Sequence, residues 1–98
     1  MNAASHTYKA DGDIVSTNAQ LHWSRIESVL DRATPSQLVE LDLRAASMVD
    51  SVGLNAIVKA IKIAEGKKLK VRLLIASPSL KRICTFTRLD QKAEIVGP

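Results

Sequence analysis

A segment with helical periodicity lies between two short segments in which apolar and polar residues alternate. In residues 38–43 and again in 68–76, every second side chain is apolar, and the side chains between them are largely charged. A period of two is typical of a strand with one buried face. Between these segments, apolar residues recur at i, i+3, i+4 and i+7, the pattern of an amphipathic helix: Leu54, Ile57, Val58, Ile61 and Ala64. A strand–helix–strand unit joins two parallel strands by a right-handed crossover, so the pattern predicts an α/β fold.

A second amphipathic helix is predicted before this unit. Ser16, Thr17 and Asn18 are all residues that favour a helix N-cap, and Pro35 cannot continue a helix. Between these signals, apolar residues recur at alternating steps of four and three: Ala19, Trp23, Ile26, Leu30 and Ala33. The pattern predicts a helix that buries one face and ends before the proline.

The remaining segments complete the predicted order β-β-α-β-α-β-α-β. A Ser-Pro pair opens a third predicted helix over 77–89, and a short strand is predicted at 93–96. Two short strands are predicted at 6–10 and 14–15, on either side of a turn. Gly66 is predicted to follow the central helix in the left-handed conformation.

We expect these elements to form a small α/β domain with a mixed sheet. Both alternating strands keep a charged side, whereas a sheet covered on both faces would have uniformly apolar strands. The helices should therefore lie mainly on one face, with Glu40 and Asp42 near the basic residues of the next strand on the open face. We expect one domain over 1–98, with residues 1–5 as a flexible terminus.

Composition argues against several classes of protein. The sequence contains no run of about 18 apolar residues, the length that could span a membrane. Its first residues also lack the pattern of a secretory signal. Cys84 is the only cysteine and is expected to be a buried small hydrophobe, which leaves neither disulfides nor a cysteine-rich metal site. We expect a cytoplasmic protein with no metal, no cofactor and no direct membrane insertion.

The net charge of +4 makes nucleic-acid binding a hypothesis to consider. The cations are scattered, however, and the one local cluster, at 66–70, is expected to be a solvated loop. The three aromatic residues, Tyr8, Trp23 and Phe86, lie far apart in the sequence and form no evident surface for base stacking. We therefore expect a monomer that does not bind nucleic acid.

The candidate site lies in residues 41–54, where a strand leads through a short loop to a helix start. Asp50 is a good N-cap, because its carboxylate can accept from the free backbone amides of the first turn. Ser51 would be the first helical residue, where the positive helix end could stabilise a phosphate. Gly53 would leave room for another protein to approach the serine. The alternative is that Asp50 and Ser51 simply cap the helix.

The order of motifs in this sequence resembles that of STAS domains. The resemblance is carried by DSVGL at 50–54, a Gly-Lys-Lys tripeptide after the central helix, and SPSLKR at 77–82. It extends from about residue 12 to residue 96. Within the STAS family, the sequence is most similar to the bacterial anti-sigma factor antagonists, which implies a STAS-like fold and a role as a protein-binding switch.

The resemblance also implies roles for individual residues. Ser51 corresponds to the serine that is reversibly phosphorylated in that family, and Asp50 helps to define the site. The implied partners are a serine kinase that doubles as an anti-sigma factor, which binds the unphosphorylated form, and a PP2C-type phosphatase. Val52 departs from the family, which often has serine or threonine there, and the amino-terminal strand region is short and irregular.

A candidate partner-binding surface follows from helical geometry. At about 100° per residue, one group of side chains lies opposite the predicted core stripe of the central helix: Val52, Ala56, Lys59 and Ile63. Three of these four are apolar although the face should be solvated, which favours a partner-binding role. The alternative is a second contact within the core.

We considered two other functions. A strand–serine–helix arrangement is found in α/β-hydrolases, but Val49 occupies the position where that motif has glycine, and both histidines, His6 and His22, precede Ser51. We therefore do not expect an enzyme. The other alternative is a STAS accessory subunit of an ABC-type lipid transport complex. Because such subunits tend to carry threonine at the acceptor position, Ser51 favours the switch.

Overall fold

The computed structural model describes residues 5–97 of the 98-residue chain. Within them are four strands, three α-helices and one short 3₁₀ helix, Leu89–Gln91. In chain order, the main elements are β1 (His6–Lys9), α1 (Ala19–Arg32), β2 (Leu38–Asp42), α2 (Ser51–Gly66), β3 (Lys70–Leu74), α3 (Pro78–Phe86) and β4 (Glu94–Val96). The elements confirm the predicted α/β class.

The sheet has the order β1-β2-β3-β4, and every strand pair in residues 5–97 is parallel. The expectation of a mixed sheet was therefore wrong. Residues 14–15 form no second strand of a hairpin; Ile14 instead makes an isolated parallel bridge with Val49 beyond the end of β2. Because α1 then carries the chain back to the start of the sheet, β2 runs parallel to β1.

The two faces of the sheet differ in chemistry, as the alternation predicted. One row of paired residues is apolar and joins the core with the buried sides of the helices: Tyr8, Leu41, Leu73 and Ile95. On the other face, Thr7, Glu40, Arg72 and Glu94 lie side by side. Arg72 pairs with Glu40 at 2.6 Å, as expected for neighbouring strands, whereas Asp42 pairs with Arg44 at 2.8 Å.

The first helix buries all five residues of its predicted stripe. Its N-cap residue, Asn18, makes no capping bond and instead braces the preceding turn. The Asn18 side chain accepts from the amide of Val15 and donates to the carbonyl of Asp13, each at 2.9 Å. The turn that leads into α1 is thus held by its own side chain.

The end of α2 corrects the prediction for Gly66, which lies inside the helix without a positive φ. Lys68 takes the left-handed position instead, with φ of 59°. The amide of Lys68 donates to the carbonyl of Glu65, and that of Leu69 to the carbonyl of Ala64. This pair of bonds is a Schellman motif, so the helix ends in the predicted way but two residues later.

The ends of the described chain bear on the remaining fold expectations. Residues 1–4, in the expected flexible terminus, lie outside the described residues, while the amide of Ser5 donates to Leu38. The third helix ends at Phe86, earlier than predicted, and the 3₁₀ helix follows. Cys84 is fully buried, as expected.

Candidate functional site

Ser51 is the first residue of α2 and is exposed to solvent. No residue in 5–97 makes a hydrogen bond to its hydroxyl, although several neighbouring groups are held by hydrogen bonds. The structure thus confirms the predicted position of the serine at the helix start, and the serine is accessible to solvent.

Asp50 connects the start of α2 to the segment that precedes α1. One carboxylate oxygen accepts from the amide of Gly53 and the other from the amide of Ser16, each at 2.8 Å. These bonds, that of Gly53 first, hold the pKa of the Asp50 carboxyl below its usual range. The predicted N-cap is present, and the same side chain also fixes a segment 34 residues away.

Asp13 holds the loop before Ser51 and was not found by the sequence reasoning. Its Oδ1 accepts from the amide of Met48 at 3.0 Å, and from the amide and hydroxyl of Ser47 at 2.9 and 3.1 Å. The Met48 bond, followed by those of Ser47, lowers the pKa of the Asp13 carboxyl. Because the partners are 34 and 35 residues apart, no local pattern could have revealed the contact.

The structure explains the glycine at position 53 by close packing, and not by the predicted room for a partner protein. A Cβ atom at this position would lie 2.0 Å from the carbonyl oxygen of Ile14, so the backbone of Ile14 fills the space beside the glycine. Gly53 is buried and leaves no room there for another protein. Its absent side chain instead lets the segment before α1 pack against the first turn of α2.

The predicted outer face of α2 is only partly exposed. Val52 is 46% exposed and Lys59 is also exposed, but Ala56 is only 8% exposed. Ile63 is half-buried and packs against the core, so it does not belong to a solvated stripe. The physical reason is that α1 packs along this side of α2, while two members of the predicted core stripe, Leu54 and Val58, are only half-buried.

The exposed part of that face forms one side of a groove between α1 and α2. Val52, Ala56 and Lys59 line it from α2, and Trp23 lines it from α1. The Lys59 ammonium lies 4.5 Å from the centre of the Trp23 ring, a distance that allows a cation–π interaction. The groove has a volume of about 240 Å³, and its lining combines apolar side chains with one cation, Lys59, and the polar Ser16, Gln20 and Asn55.

A second groove lies between the loop that precedes Ser51 and the helix α3. Met48 and Val49 line it from the loop, and Leu80 and Ile83 line it from α3. Met48 is 61% exposed and so adds apolar surface to this groove. Ser51 thus lies in the chain between Val49 of this second groove and Val52 of the first.

The two histidines are engaged away from Ser51. His6 is hydrogen-bonded to Gln37, and the buried His22 is hydrogen-bonded to the hydroxyl of Tyr8. Burial raises the pKa of that tyrosine. This arrangement gives no support to the hydrolase alternative, which needs a histidine beside the serine.

Comparison with known proteins identifies the family. The family model of the STAS domain matches residues 4–96. The chain belongs to the STAS domain family. A sequence search of curated proteins finds no match. In residues 5–97, no helix is long and apolar enough to cross a membrane, and no group of three or more potential metal ligands is present.

Two solved structures share this fold. A Thermotoga maritima protein assigned as an anti-sigma factor antagonist superposes with a TM-score of 0.79 at 18% identity, covering 97% of this chain and 82% of its own. A sulfate transporter family protein from Wolinella succinogenes superposes with a TM-score of 0.70 at 16% identity, covering 94% and 80%. At these identities the likeness extends to the fold alone.

Proposed function

We propose that this STAS domain is a protein-binding switch controlled by phosphorylation of Ser51. In its unphosphorylated form it binds a serine kinase that also acts as an anti-sigma factor, and a PP2C-type phosphatase restores that form. The observation that carries the proposal is the exposed, unbonded hydroxyl of Ser51 on a helix start that Asp50 holds in place. Such a hydroxyl can enter a kinase active site without unfolding the domain.

The surroundings of Ser51 explain how a phosphate would change binding. The carboxylate of Asp50 already accepts a hydrogen bond from the amide of Gly53 at the helix start. A phosphoserine adds about −1.5 to −2 charges at pH 7. At Ser51 this charge would stand next to a carboxylate, so a docked partner would have to desolvate two adjacent anions. Phosphorylation should therefore weaken binding.

The partner surface is proposed to be the groove between α1 and α2. Val52 offers an exposed apolar contact, Ala56 lines the floor, and Lys59 over Trp23 offers a positive charge. This combination suits a partner that presents an apolar side chain next to an acidic one. Ile63, which packs against the core, is left out of the proposed surface.

Incubation with the cognate serine kinase and ATP tests the modification. Mass spectrometry should map the phosphate to Ser51 and find none on Ser51→Ala. Ser79→Ala is a matched control, because Ser79 is also an exposed serine near a helix start. Phosphate on Ser79 or Ser47 with Ser51 untouched would contradict the proposal.

Calorimetry with the same kinase tests the switch itself. Unmodified protein and Ser51→Ala should bind alike, Ser51→Glu more weakly, and the phosphorylated protein most weakly, because each step adds charge to the interface. Equal affinities for the phosphorylated and unmodified proteins would refute switching even if Ser51 is the acceptor.

The second candidate is an accessory subunit of an ABC-type lipid transport complex, the alternative left open by the sequence, and the shared fold of a sulfate transporter family protein shows that this architecture also occurs in a transport-related protein. On that alternative the same groove would dock on a transport ATPase and no kinase would be needed. Binding of unmodified protein to a purified ABC-type ATPase, together with no binding to a serine kinase, would favour the transport role.

A further inference from the structure

The strand β1 is an edge of the described sheet, with β2 as its one neighbour. The amide of Ala10 donates to the carbonyl of Asp42. This bond shows that the N–H and C=O groups of Ala10 and of every second residue before it point toward β2. In a parallel ladder, the N–H and C=O of Lys9 and Thr7 then point away from β2. No residue in 5–97 bonds to these outward groups, so two donors and two acceptors face the open side.

A groove runs between this free edge and α1, and its lining is basic. Lys9 lines it from β1, and Arg25 and Arg32 line it from α1, together with the hydroxyls of Ser24 and Ser28. None of the residues that line the groove is acidic. Its volume of about 440 Å³ is large enough for several side chains of a bound segment.

The cations of this groove are available to a partner. Within residues 5–97, Arg25 makes an ion pair with Asp11 at 3.9 Å, with both side chains more than half exposed, and it also interacts with the hydroxyl of Tyr8. Such a pair contributes little and is easily exchanged. Arg32 donates from Nε to the carbonyl of Ser28, which leaves the rest of its guanidinium for an incoming anion.

We propose that the β1 edge and the groove beside α1 bind an acidic segment of another protein in extended conformation, which adds a fifth strand to the sheet. A peptide strand offers donors and acceptors in alternation, and these match the outward groups of Thr7 and Lys9. A phosphate or a nucleic-acid backbone supplies no donors to those carbonyls. Arg25 and Arg32 select acidic side chains on the face of the bound strand that points toward α1, whereas Lys9 shares the opposite face of the sheet with Thr7. This surface is separate from the Ser51 site and does not depend on the switch proposal.

The probe is an acetylated and amidated hexapeptide in which glutamate and valine alternate, titrated into the ¹⁵N-labelled full chain. Its binding should shift the amide resonances of Thr7 and Lys9 and those of α1 near Arg25, in a saturable way. The charge-reversed peptide, with lysine for glutamate, should leave them in place. A peptide N-methylated on the amides that would face β1 should also fail to bind, because strand addition needs those N–H groups as donors.

Two variants separate the contributions of charge and backbone. Arg25→Glu combined with Arg32→Glu should weaken peptide binding by at least about tenfold. Thr7→Pro removes one outward N–H and leaves the hydrogen bonds between β1 and β2 intact, since proline is tolerated on an edge strand. It should therefore weaken peptide binding without changing the charge of the groove. Lys62→Glu, at an exposed position of α2 outside both grooves, is the matched charge control and should bind the peptide like the unaltered chain.

Four outcomes overturn the proposal. Equal binding of the N-methylated peptide, or the same shifts with inorganic phosphate, would mean that the groove is a simple anion site. Shifts of Thr7 and Lys9 that grow with protein concentration alone would identify a second copy of this chain as the occupant. Absence of any shift at millimolar peptide would leave β1 as an edge that Lys9 protects from pairing.

Discussion

The two flanks of α2 differ in what they allow. On the packed flank, small residues alternate with isoleucines, so that α1 and the backbone of Ile14 come close to the helix: Gly53, Ala56, Ile57, Ala60, Ile61 and Ala64 are all buried. The opposite flank carries exposed residues, mostly polar or charged: Ser51, Asn55, Lys59, Lys62 and Glu65. One helix thus separates a surface that fixes its position from a surface that is exposed to solvent.

The boundary between the two flanks lies within the first turn. Ser51 is exposed and Gly53, two residues later, is buried without room for a methyl group. This closeness explains how an exposed hydroxyl can have a fixed position: the packed flank and the hydrogen bonds of Asp50 hold the backbone, while the hydroxyl is exposed to solvent. Tolerance to substitution should therefore change sharply from one residue to the next.

The largest expected contrast is between Ile61→Asp and Ser51→Asp. Ile61 is 2% exposed, so an aspartate there would bury an unpaired charge and should cost more than about 4 kcal/mol, enough to unfold a domain of this size. Ser51→Asp places the same charge in solvent and should change stability by less than about 1 kcal/mol. Urea denaturation measures both. Similar losses for the two variants would break the contrast between the flanks.

Two glycines of α2 give a smaller and opposite pair of effects. Gly53→Ala would push a Cβ to within 2.0 Å of the Ile14 carbonyl oxygen and should destabilise the protein by about 1–3 kcal/mol. Gly66→Ala meets nothing within 4 Å, and its φ is not positive. It should stabilise the protein by up to about 1 kcal/mol, because alanine restricts the unfolded chain. Thermal unfolding should move in opposite directions; a loss of stability with Gly66→Ala would contradict the described helix end.

Periodicity predicted most of this fold because each element carries its own signal. The alternation at 38–43 and the stripe of α1 are local patterns, and the structure confirms both. The mixed sheet was wrong because the parallel bridge from Ile14 to Val49 joins residues that are distant in sequence. The buried side of α2 was also misjudged, since the large apolar residues Leu54 and Val58 dominate the pattern although alanines and glycine pack more closely.

The candidate site divides in the same way between local and distant determinants. Asp50 and Ser51 could be predicted because an N-cap and a first helical residue are defined by adjacent positions. Asp13 and Trp23 could not, since each reaches the site from another part of the chain. The sequence therefore reveals the serine at the helix start but not the distant groups that position the surrounding loop and groove.

Ile63 and Val52 provide a test of where the exposed flank ends. Ile63 is half-buried against the core, so Ile63→Asp should destabilise the protein by about 1–2 kcal/mol. Val52→Asp, on the 46% exposed side chain, should change stability by no more than about 0.5 kcal/mol yet sharply reduce binding to the proposed kinase partner. Urea denaturation and calorimetry together separate these effects. A neutral Ile63→Asp that abolishes binding would restore Ile63 to the partner surface.

The smallest expected effect concerns the carboxylates that hold the loop before Ser51. Hydrogen bonds from backbone N–H groups lower the pKa values of the Asp13 and Asp50 carboxyls. Both groups therefore stabilise the folded state while they are ionised. This contribution is fully present above the unfolded pKa, near pH 4, and is lost as the pH falls through the folded values. Asp13→Asn should therefore lower the unfolding temperature at pH 7, and the difference from the unaltered chain should shrink in strong acid.

The control for this change in charge is Asp31→Asn, at an exposed position of α1. The asparagine at position 13 keeps an oxygen that can accept from Met48 and Ser47, so the comparison isolates the charge from the geometry of the loop. Thermal unfolding followed by circular dichroism between about pH 2 and pH 7 measures both variants against the unaltered chain. A constant difference for Asp13→Asn across that range would mean that Asp13 acts by shape alone. The exposed end of α2 would then owe its position to Asp50 and Gly53 without electrostatic help from the preceding loop.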